Sequence, residues 1–465
     1  MGLSLADYVR CDATELARLI KAGDIAPDDP ARAARAAIET LNPALNAIVS
    51  MEPDLPPDAL DGPFAGVPMP LKDCVGFLEG QAYSFGSRLA RGTVARRSSS
   101  IVARLRAGGF HLLGLTNVPE FSSVVTTESL LHGPAHNPWK PGYSTGGSSG
   151  GAAAAVAAGI VPVAYANDGA GSIRVPAACC GVIGLKPSRG RIPTGPDKND
   201  FWHGLMAHGV VSRTVRDTAA IIDWCAGMDV GAPYVAPPLA RPLSAEIGLP
   251  LEGLRIAWST ASSYGTPVDP HCARAVERLA GQLETMGCVL IQAQPAIDGR
   301  AMLADVATLI GISLAADIPD FAARLGRPAD ATMVERNNLA WAERGAATPA
   351  PELQKLLYRF GAIGRALGRF FADGFDMLLT PVTALPPPPH GWLDANGEDL
   401  DVYIDRWWRF SPFASLANVA GAPAIALPAG RAPDGLPLAA MLTAPYGADG
   451  LLIRAAAALE AGAPA

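Results

Sequence analysis

Apolar strands that alternate with amphipathic helices are the main pattern along this chain. Residues 98–109 have the spacing of an amphipathic helix, and the apolar run Phe110–Thr116 that follows predicts a strand. A clearer unit comes later, where Leu254–Trp258 and Cys288–Ile291 predict strands on either side of a helix over Pro270–Met286. This alternation is typical of an α/β sheet. We therefore predict an α/β protein.

Helical patterns occupy two further parts of the chain. Asp12–Thr40 predicts two helices, the first of which ends at Gly23, and Ala301–Phe375 is predominantly helical. Apolar runs then return near the end of the chain, at Asp376–Val382 and Pro423–Pro428. These runs predict further strands in the same sheet.

Two Gly/Ser loops flank an alanine-rich run and an apolar run in residues 143–174. Ala152–Ala158 predicts a helix that Gly159 can end, because alanine has the highest helix propensity. Ile160–Ala166 predicts a buried strand. Glycine and serine also form ordinary turns, but a helix and strand packed back to back would bring both loops together. The hydroxyls of the first loop would then lie near Ser172: Ser144, Thr145, Ser148 and Ser149.

Lys72 is unusual because it lies within the short, largely apolar strand predicted for Gly66–Val75. A lysine in a strand usually faces solvent. Its neighbours Met69, Leu71 and Cys74 are apolar, however, so burial of the lysine stem is plausible.

Charge and cysteine content exclude several classes of protein. The net charge of -7 and the absence of a long Lys/Arg block argue against a nucleic-acid surface. Seven cysteines without a repeated spacing, two of them adjacent at Cys179 and Cys180, do not form a disulfide framework. We therefore expect a protein of the reducing cytoplasm.

The sequence indicates neither a signal peptide nor a membrane-spanning segment. The N-terminal segment MGLSLADYVR lacks the basic and apolar regions of a signal peptide. The longest uncharged apolar stretch, Ala152–Ala166, is interrupted by Gly159 and Pro162 and is too short to span a bilayer. We expect no membrane partner.

Hydrolysis by this chain would need a nucleophile and a base. His132 and His136 are the histidines closest to the loops in sequence, and a Ser-His-Asp triad stays an alternative because such triads are assembled from residues distant in sequence. The pattern G-x-S-x-G is absent around Ser172, so a Ser-Lys arrangement fits better. Burial can lower a lysine pKa from about 10.4 by up to about 3 to 5, which would leave Lys72 neutral and basic.

The second loop could hold a developing oxyanion. Gly169, Ala170, Gly171 and Ser172 offer successive backbone N–H groups. Phosphate binding is the rival interpretation, but Gly142–Gly151 lacks the GK[ST] ending of a P-loop. HExxH and paired CxxC motifs are absent too. We predict neither a metal nor an organic cofactor.

Several motifs, in order, resemble the amidase signature family: GVPMPLKD from Gly66, LTNVPEF from Leu115, HNPW from His136, GGSSGG from Gly146, GSIRVPAACCGVIGLKPS from Gly171, and the C-terminal SPFASLANVAGAPAIALP. The resemblance implies a large central mixed, twisted β-sheet surrounded by helices. It also implies a Ser-cisSer-Lys triad with Lys72 as base, Ser148 as bridge after a cis peptide at Gly147, and Ser172 as nucleophile.

One position departs from the family pattern. The family usually has D-x-G-G-S before the nucleophile, whereas this chain has Ala170 in place of the first of these glycines. The added methyl group disfavours positive φ and could narrow the oxyanion loop without removing an N–H group.

We predict a single amidase domain over residues 1–465. Its parts, by the resemblance, are an N-terminal helical layer (1–60), the catalytic signature core (61–228), a variable substrate-shaping region (229–375) and a C-terminal return to the core sheet (376–465).

The predicted activity is hydrolysis of a carboxylic-acid amide through an acyl-enzyme. The alternatives are the A subunit of a tRNA-dependent amidotransferase and a non-catalytic binding homologue. The acidic charge and the complete set of Lys72, Ser148 and Ser172 favour a freestanding hydrolase, in which the partners are a small amide and water and a homodimer is possible.

Aromatic residues suggest the substrate class. Trp407, Trp408, Phe410 and Phe413 are either ordinary core or the wall of an apolar pocket, together with Tyr143, Ser144 and Thr145 of the first loop. A pocket of this kind favours aryl, alkyl or cyclic amides over glutamine.

Overall fold

The computed structural model describes residues 3–196, 200–397 and 399–462. Strands in this part of the chain, in order, are β1 (Ile48–Leu55), β2 (Pro68–Lys72), β3 (Ala82–Tyr83), β4 (Thr93–Val94), β5 (His111–Thr116), β6 (Glu128–Ser129), β7 (Gly133–Pro134), β8 (His136–Asn137), β9 (Lys140–Ser144), β10 (Val163–Asp168), β11 (Ile183–Lys186), β12 (Ala207–Ser212), β13 (Arg255–Trp258), β14 (Val289–Gln292), β15 (Met377–Pro381), β16 (Ala424–Arg431) and β17 (Pro437–Thr443).

The α-helices in the same described ranges are α1 (Leu5–Arg10), α2 (Ala13–Ala22), α3 (Asp29–Leu45), α4 (Ser100–Ala107), α5 (Gly150–Ala157), α6 (Arg174–Cys180), α7 (Val215–Cys225), α8 (Pro270–Thr285), α9 (Gly299–Leu325), α10 (Arg336–Ala346), α11 (Ala350–Ala372), α12 (Leu400–Phe410), α13 (Ser415–Ala420) and α14 (Asp449–Ala461).

A mixed sheet of eight strands forms the centre of the molecule, with strand order β10-β12-β11-β16-β17-β15-β13-β14. Neighbours from β10 to β15 are antiparallel, whereas β15, β13 and β14 run parallel. The prediction of an α/β fold with a large mixed sheet and surrounding helices is confirmed. The β13-α8-β14 unit is also confirmed, and it shows that residues 229–375 supply two strands to the central sheet.

The predicted arrangement of the two Gly/Ser loops follows from α5 and β10. Seven of the eight residues of α5 are alanine or glycine, and every residue from Gly150 to Val156 is buried. A side chain on Gly151 would lie 2.4 Å from the backbone nitrogen of Asn117, so this helix can only pack so closely because the position is glycine. The close packing sets the start of α5 beside the end of β10.

Lys72 belongs to a separate sheet of three strands, β1-β5-β2. It is the last residue of β2 and pairs in parallel register with Thr116 of β5. All five residues of β2 are buried, because α5 and β10 of the large sheet cover this small sheet. The site therefore lies where two sheets meet.

The helix α9 is long and apolar enough to cross a membrane, but 56% of its most apolar window is buried inside the protein. Its packing against α10 and α11 is that of a core helix.

Candidate active site

Lys72 ends β2 in a fully buried position with two hydrogen bonds. Its Nζ donates to Ser148 Oγ at 2.8 Å and to Asn167 Oδ1 at 2.9 Å. Removal of the amine from water disfavours its charged form, and this burial lowers the pKa of Lys72 to about 8. The nearby Asp168 and Cys74 oppose the shift only in part. Lys72 is therefore poised to exchange a proton near neutral pH.

Ser148 lies in the first Gly/Ser loop, directly before α5. The Gly147–Ser148 peptide bond is cis, as the resemblance implies. A side chain on Gly147 would lie 2.4 Å from the carbonyl oxygen of Thr126, so the loop lies flat against that backbone. In this loop Ser148 Oγ accepts the hydrogen bond from Lys72 Nζ.

Ser172 lies in the loop 169–173 between β10 and α6, which we call the nucleophile loop after the role predicted for Ser172. The two Gly/Ser loops are joined by the Ser149 N–H, which donates to the carbonyl oxygen of Ser172 at 3.3 Å. Ser172 is buried, with 8% of the residue exposed. Within the described ranges its Oγ makes no hydrogen bond, so the link from Ser148 Oγ to Ser172 Oγ is open in this structure.

Three of the four predicted oxyanion donors are free. The Gly171 N–H is already used, since it donates to Asp168 Oδ1 at 2.8 Å. The N–H groups of Gly169, Ala170 and Ser172 have no acceptor among the residues that the structure describes. Gly171 has a φ of 128°, a conformation that favours glycine, whereas Ala170 has no positive φ. The alanine that departs from the family pattern therefore does not occupy the position that needs glycine.

The Asp168 carboxylate fixes the shape of the nucleophile loop by accepting hydrogen bonds from its backbone. It accepts from the backbone N–H of Gly171 and Ile173 and forms a buried ion pair with Arg174, whose Nε is 2.8 Å away. Burial alone would raise the pKa of Asp168, but the charge and hydrogen bonds of Arg174 and the amide of Asn418 hold it below its usual range. The carboxylate therefore stays ionised and keeps the loop in place.

Asn167 and Trp202 are two residues of this region that the sequence analysis missed. Asn167 Oδ1 accepts the second hydrogen bond of Lys72 Nζ, and Asn167 Nδ2 donates to the carbonyl oxygen of Val75 at 3.2 Å. Trp202 contacts the nucleophile loop at Gly169. Position at the end of a buried strand was a usable signal for Asn167; nothing local distinguished Trp202.

The predicted pocket residues are placed differently from one another. Trp407 and Phe410 are buried core residues: Trp407 stacks on Trp408 at 4.1 Å and meets Trp341 edge-on, and Phe410 packs against Trp392. Neither exposes surface to a ligand, because other aromatic rings cover both.

Phe413 borders a small cavity of about 40 Å³ with Thr380 and Met441. Ala414 beside it touches the nucleophile loop at Gly171.

The other predicted pocket residues belong to the first loop and support its shape. The Lys140 ammonium lies over the Tyr143 ring, 4.1 Å from the ring centroid, at the protein surface. Ser144 Oγ accepts from the Gly146 N–H, and Thr145 Oγ1 donates to the Gly146 carbonyl. These contacts hold the backbone of Gly146, two residues before Ser148.

Comparisons with known proteins agree with this geometry. A 6-aminohexanoate-cyclic-dimer hydrolase of Paenarthrobacter ureafaciens is 35% identical over 97% of this chain and 95% of its own. An acylamidase of Rhodococcus erythropolis is 32% identical with the same coverage. The solved structure of a 6-aminohexanoate cyclic dimer hydrolase complexed with substrate matches with a TM-score of 0.90, 33% identity and 98% of each chain.

These relatives are named for the cleavage of amide bonds. The model of the Amidase family matches residues 32–453, which is most of the chain. The chain therefore belongs to the amidase signature family of amide-cleaving hydrolases.

Proposed function

We propose that this amidohydrolase acts through Ser172 as nucleophile, Ser148 as proton bridge and Lys72 as base, with an acyl-enzyme intermediate. One observation carries the proposal. A fully buried lysine amine, with a pKa near 8, donates a hydrogen bond to a serine in the loop that is joined to the nucleophile loop.

The first half-reaction begins with neutral Lys72. Lys72 takes the proton of Ser148 as Ser148 takes that of Ser172, and Ser172 Oγ bonds to the amide carbon. The carbonyl oxygen becomes negative and is held by the free N–H groups of Gly169, Ala170 and Ser172. The C–N bond then breaks, and the proton returns through Ser148 to the leaving nitrogen.

Water completes the cycle by attack on the acyl-enzyme, with the same relay taking its proton and giving it back to Ser172. This scheme needs a contact between the two serine hydroxyls, which rotation about their side-chain bonds can form when substrate binds.

We further propose an apolar aryl, alkyl or cyclic amide as the substrate. The names of the relatives support this class, because one cleaves a cyclic dimer of 6-aminohexanoate and another is an acylamidase. The amidotransferase A subunit and the non-catalytic homologue remain the alternatives. Both predict that the isolated chain does not hydrolyse a simple amide.

The test uses the purified chain with a fluorophosphonate probe and a panel of anilides, alkyl amides, a cyclic amide and glutamine. We expect the probe to label Ser172 and the panel to show turnover of apolar amides. Ser172→Ala should abolish labelling and turnover while the far-UV circular dichroism stays unchanged. Wild-type turnover in Ser172→Ala would refute the nucleophile, and glutamine hydrolysis that needs a co-purified partner would favour the amidotransferase.

A further inference from the structure

Trp202 packs directly on the nucleophile loop. A Cβ atom on Gly169 would lie 2.7 Å from both Cε3 and Cζ3 of the Trp202 indole, which is closer than two carbon atoms can approach. The six-membered ring therefore covers the Cα of Gly169. Because Gly169 has one of the three free N–H groups, the indole lies beside the place where a substrate carbonyl would be held.

Hydrogen bonds tie the backbone around Trp202 to the nucleophile loop. The carbonyl oxygen of Trp202 accepts from the Leu205 N–H at 3.1 Å, and the Leu205 carbonyl accepts from Asn418 Nδ2 at 3.0 Å. The same Nδ2 donates to the carbonyl oxygen of Asp168 at 2.9 Å. One side-chain amide therefore ties the segment of Trp202 to the residue that precedes Gly169.

Two features of Trp202 are unfavourable for a large apolar residue. Its φ is 52°, a left-handed conformation that bulky residues rarely adopt. Its side chain is also only half-buried, although it is beside the most buried part of the site. Strain of this kind is concentrated at functional sites.

We propose that Trp202 determines specificity by forming the apolar wall for the acyl substituent of the amide, an inference that rests on the proposed function of Ser172. The direction follows from the chemistry. The carbonyl oxygen must face the free N–H groups, and the leaving nitrogen must face Ser148 to receive its proton. The remaining substituent on the carbonyl carbon, the acyl group, is then left on the Trp202 side of Gly169.

The ligand class that fits an indole face is an extended or flat apolar acyl group, such as a medium alkanoyl or benzoyl group. Each methylene that the indole removes from water should increase kcat/KM by about fourfold. A polar or very small acyl group gains nothing from this contact.

The experiment measures kcat/KM of Trp202→Ala and Trp202→Phe on two series of amides. One series varies the acyl group from acetyl through butanoyl to hexanoyl with p-nitroaniline as the leaving group. The other keeps hexanoyl and varies the amine. Trp224→Ala is the matched control, since Trp224 is an exposed tryptophan on α7 that the site does not use.

For Trp202→Ala we expect a loss of about tenfold or more on hexanoyl anilide and less than about threefold on acetyl anilide. The kcat/KM of Trp202→Phe should lie between those of the wild type and Trp202→Ala, and that of Trp224→Ala should match the wild type. Along the amine series the loss should be constant. An equal loss along the acyl series, or one that follows the amine, would overturn the assignment of Trp202.

Fluorophosphonate labelling separates this result from the proposed function. If the probe labels Ser172 in both wild type and Trp202→Ala, the site is folded and active. An equal loss of kcat/KM along the acyl series would then overturn the role of Trp202 alone. If wild-type Ser172 is not labelled and no anilide is cleaved, both proposals fall.

Discussion

Asn167 and Ser148 hold the Lys72 amine between them, and the hydrogen bond from Lys72 Nζ to Asn167 Oδ1 is 2.9 Å long. Asn167 is neutral, so it orients the amine without the large stabilisation of the ammonium form that a carboxylate would give. A positioning residue of this type allows Lys72 to be both ordered and deprotonated.

The rate of hydrolysis should increase as pH rises through about 8, because protonation below the pKa of Lys72 removes the base. Lys72→Ala should lose on the order of 10³-fold or more in kcat/KM, and Lys72→Arg should not restore it, since arginine stays protonated. The measurement is kcat/KM between pH 6 and 10. A profile without this acidic limb would contradict Lys72 as base.

Asn167→Asp should move the acidic limb of kcat/KM to higher pH. A carboxylate 2.9 Å from the amine favours the ammonium form and raises the pKa of Lys72. Asn167→Leu should lower kcat with little effect on KM, because it removes orientation without adding charge. Asn396→Asp is the control: it adds the same charge in the loop between β15 and α12 and should leave the acidic limb of kcat/KM unchanged. An unchanged acidic limb in Asn167→Asp would argue against direct contact between residue 167 and the Lys72 amine.

Lys72 should also reduce the stability of the fold at neutral pH. Its pKa is about 8 in the folded state and near 10.5 when exposed, so the unfolded chain binds the proton more tightly. The difference corresponds to roughly 3 kcal/mol of lost stability below pH 8, which disappears as pH rises through the exposed value.

Lys72→Met removes this charge and tests the cost. The variant should be inactive yet unfold at a higher urea concentration than wild type at pH 7, and the advantage should shrink towards pH 10.5. The lost hydrogen bonds to Ser148 and Asn167 reduce the gain by about 1 kcal/mol each. A Met variant that is less stable at every pH would show that burial of Lys72 carries no such cost.

Gly169→Ala should lower kcat/KM by about 10- to 100-fold, because the new methyl group would lie 2.7 Å from the Trp202 ring and must displace the ring or the loop. Trp202→Ala in the same chain should restore part of the loss on acetyl anilide. The double-mutant cycle measures this coupling, which we expect to be about 1 to 3 kcal/mol. Additive effects would mean that the two residues do not touch.

Acidic pH should stabilise the junction between the Glu120 segment and α10. Burial and the charge of Glu120 raise the pKa of Glu335 to about 8, although the Leu130 N–H and Arg88 oppose this and Asp394 adds to it. A carboxyl group with a raised folded pKa contributes stability at low pH that is lost as pH rises from its exposed value through about 8.

Glu335→Gln should therefore be more stable than wild type at pH 8 and about equal to it at pH 5, as measured by Tm. The glutamine oxygen can still accept from the Leu130 N–H, as Glu335 does at 2.8 Å. The exposed Glu343→Gln on the same helix is the control and should change neither value. A lower Tm at pH 8 would contradict an ionisation cost at Glu335.

From the sequence we expected the two Gly/Ser loops to meet, and burial of the Lys72 stem was plausible. The first expectation came from an alanine-rich helix packed against an apolar strand, and the second from the apolar neighbours of a lysine in a short strand. The α/β class and the mixed sheet were also predictable, from periodicity and motif order. These features depend on neighbours in sequence.

Features that depend on distant neighbours were not predictable. Periodicity indicates that Trp407 and Phe410 are apolar and face inwards, but not that Trp341 and Trp392 would cover them. Trp202 touches Gly169 only because the loop before β12 folds back over the end of β10. The use of the Gly171 N–H by Asp168 likewise depends on the geometry of one turn.

Lys72 and Asn167 come from different sheets, the small one through β2 and the large one through β10. The chemistry is thus set across a seam between two sheets that share no strand pairing, and side-chain hydrogen bonds from Asn167 and Tyr165 to the carbonyl of Val75, just after β2, help to align them. A slip of about 1 Å along this seam would part the amine from its partners while every strand kept its own ladder. Catalytic activity should therefore depend on the alignment of the two sheets. On warming, the activity should be lost at a lower temperature than the one at which the sheets themselves unfold.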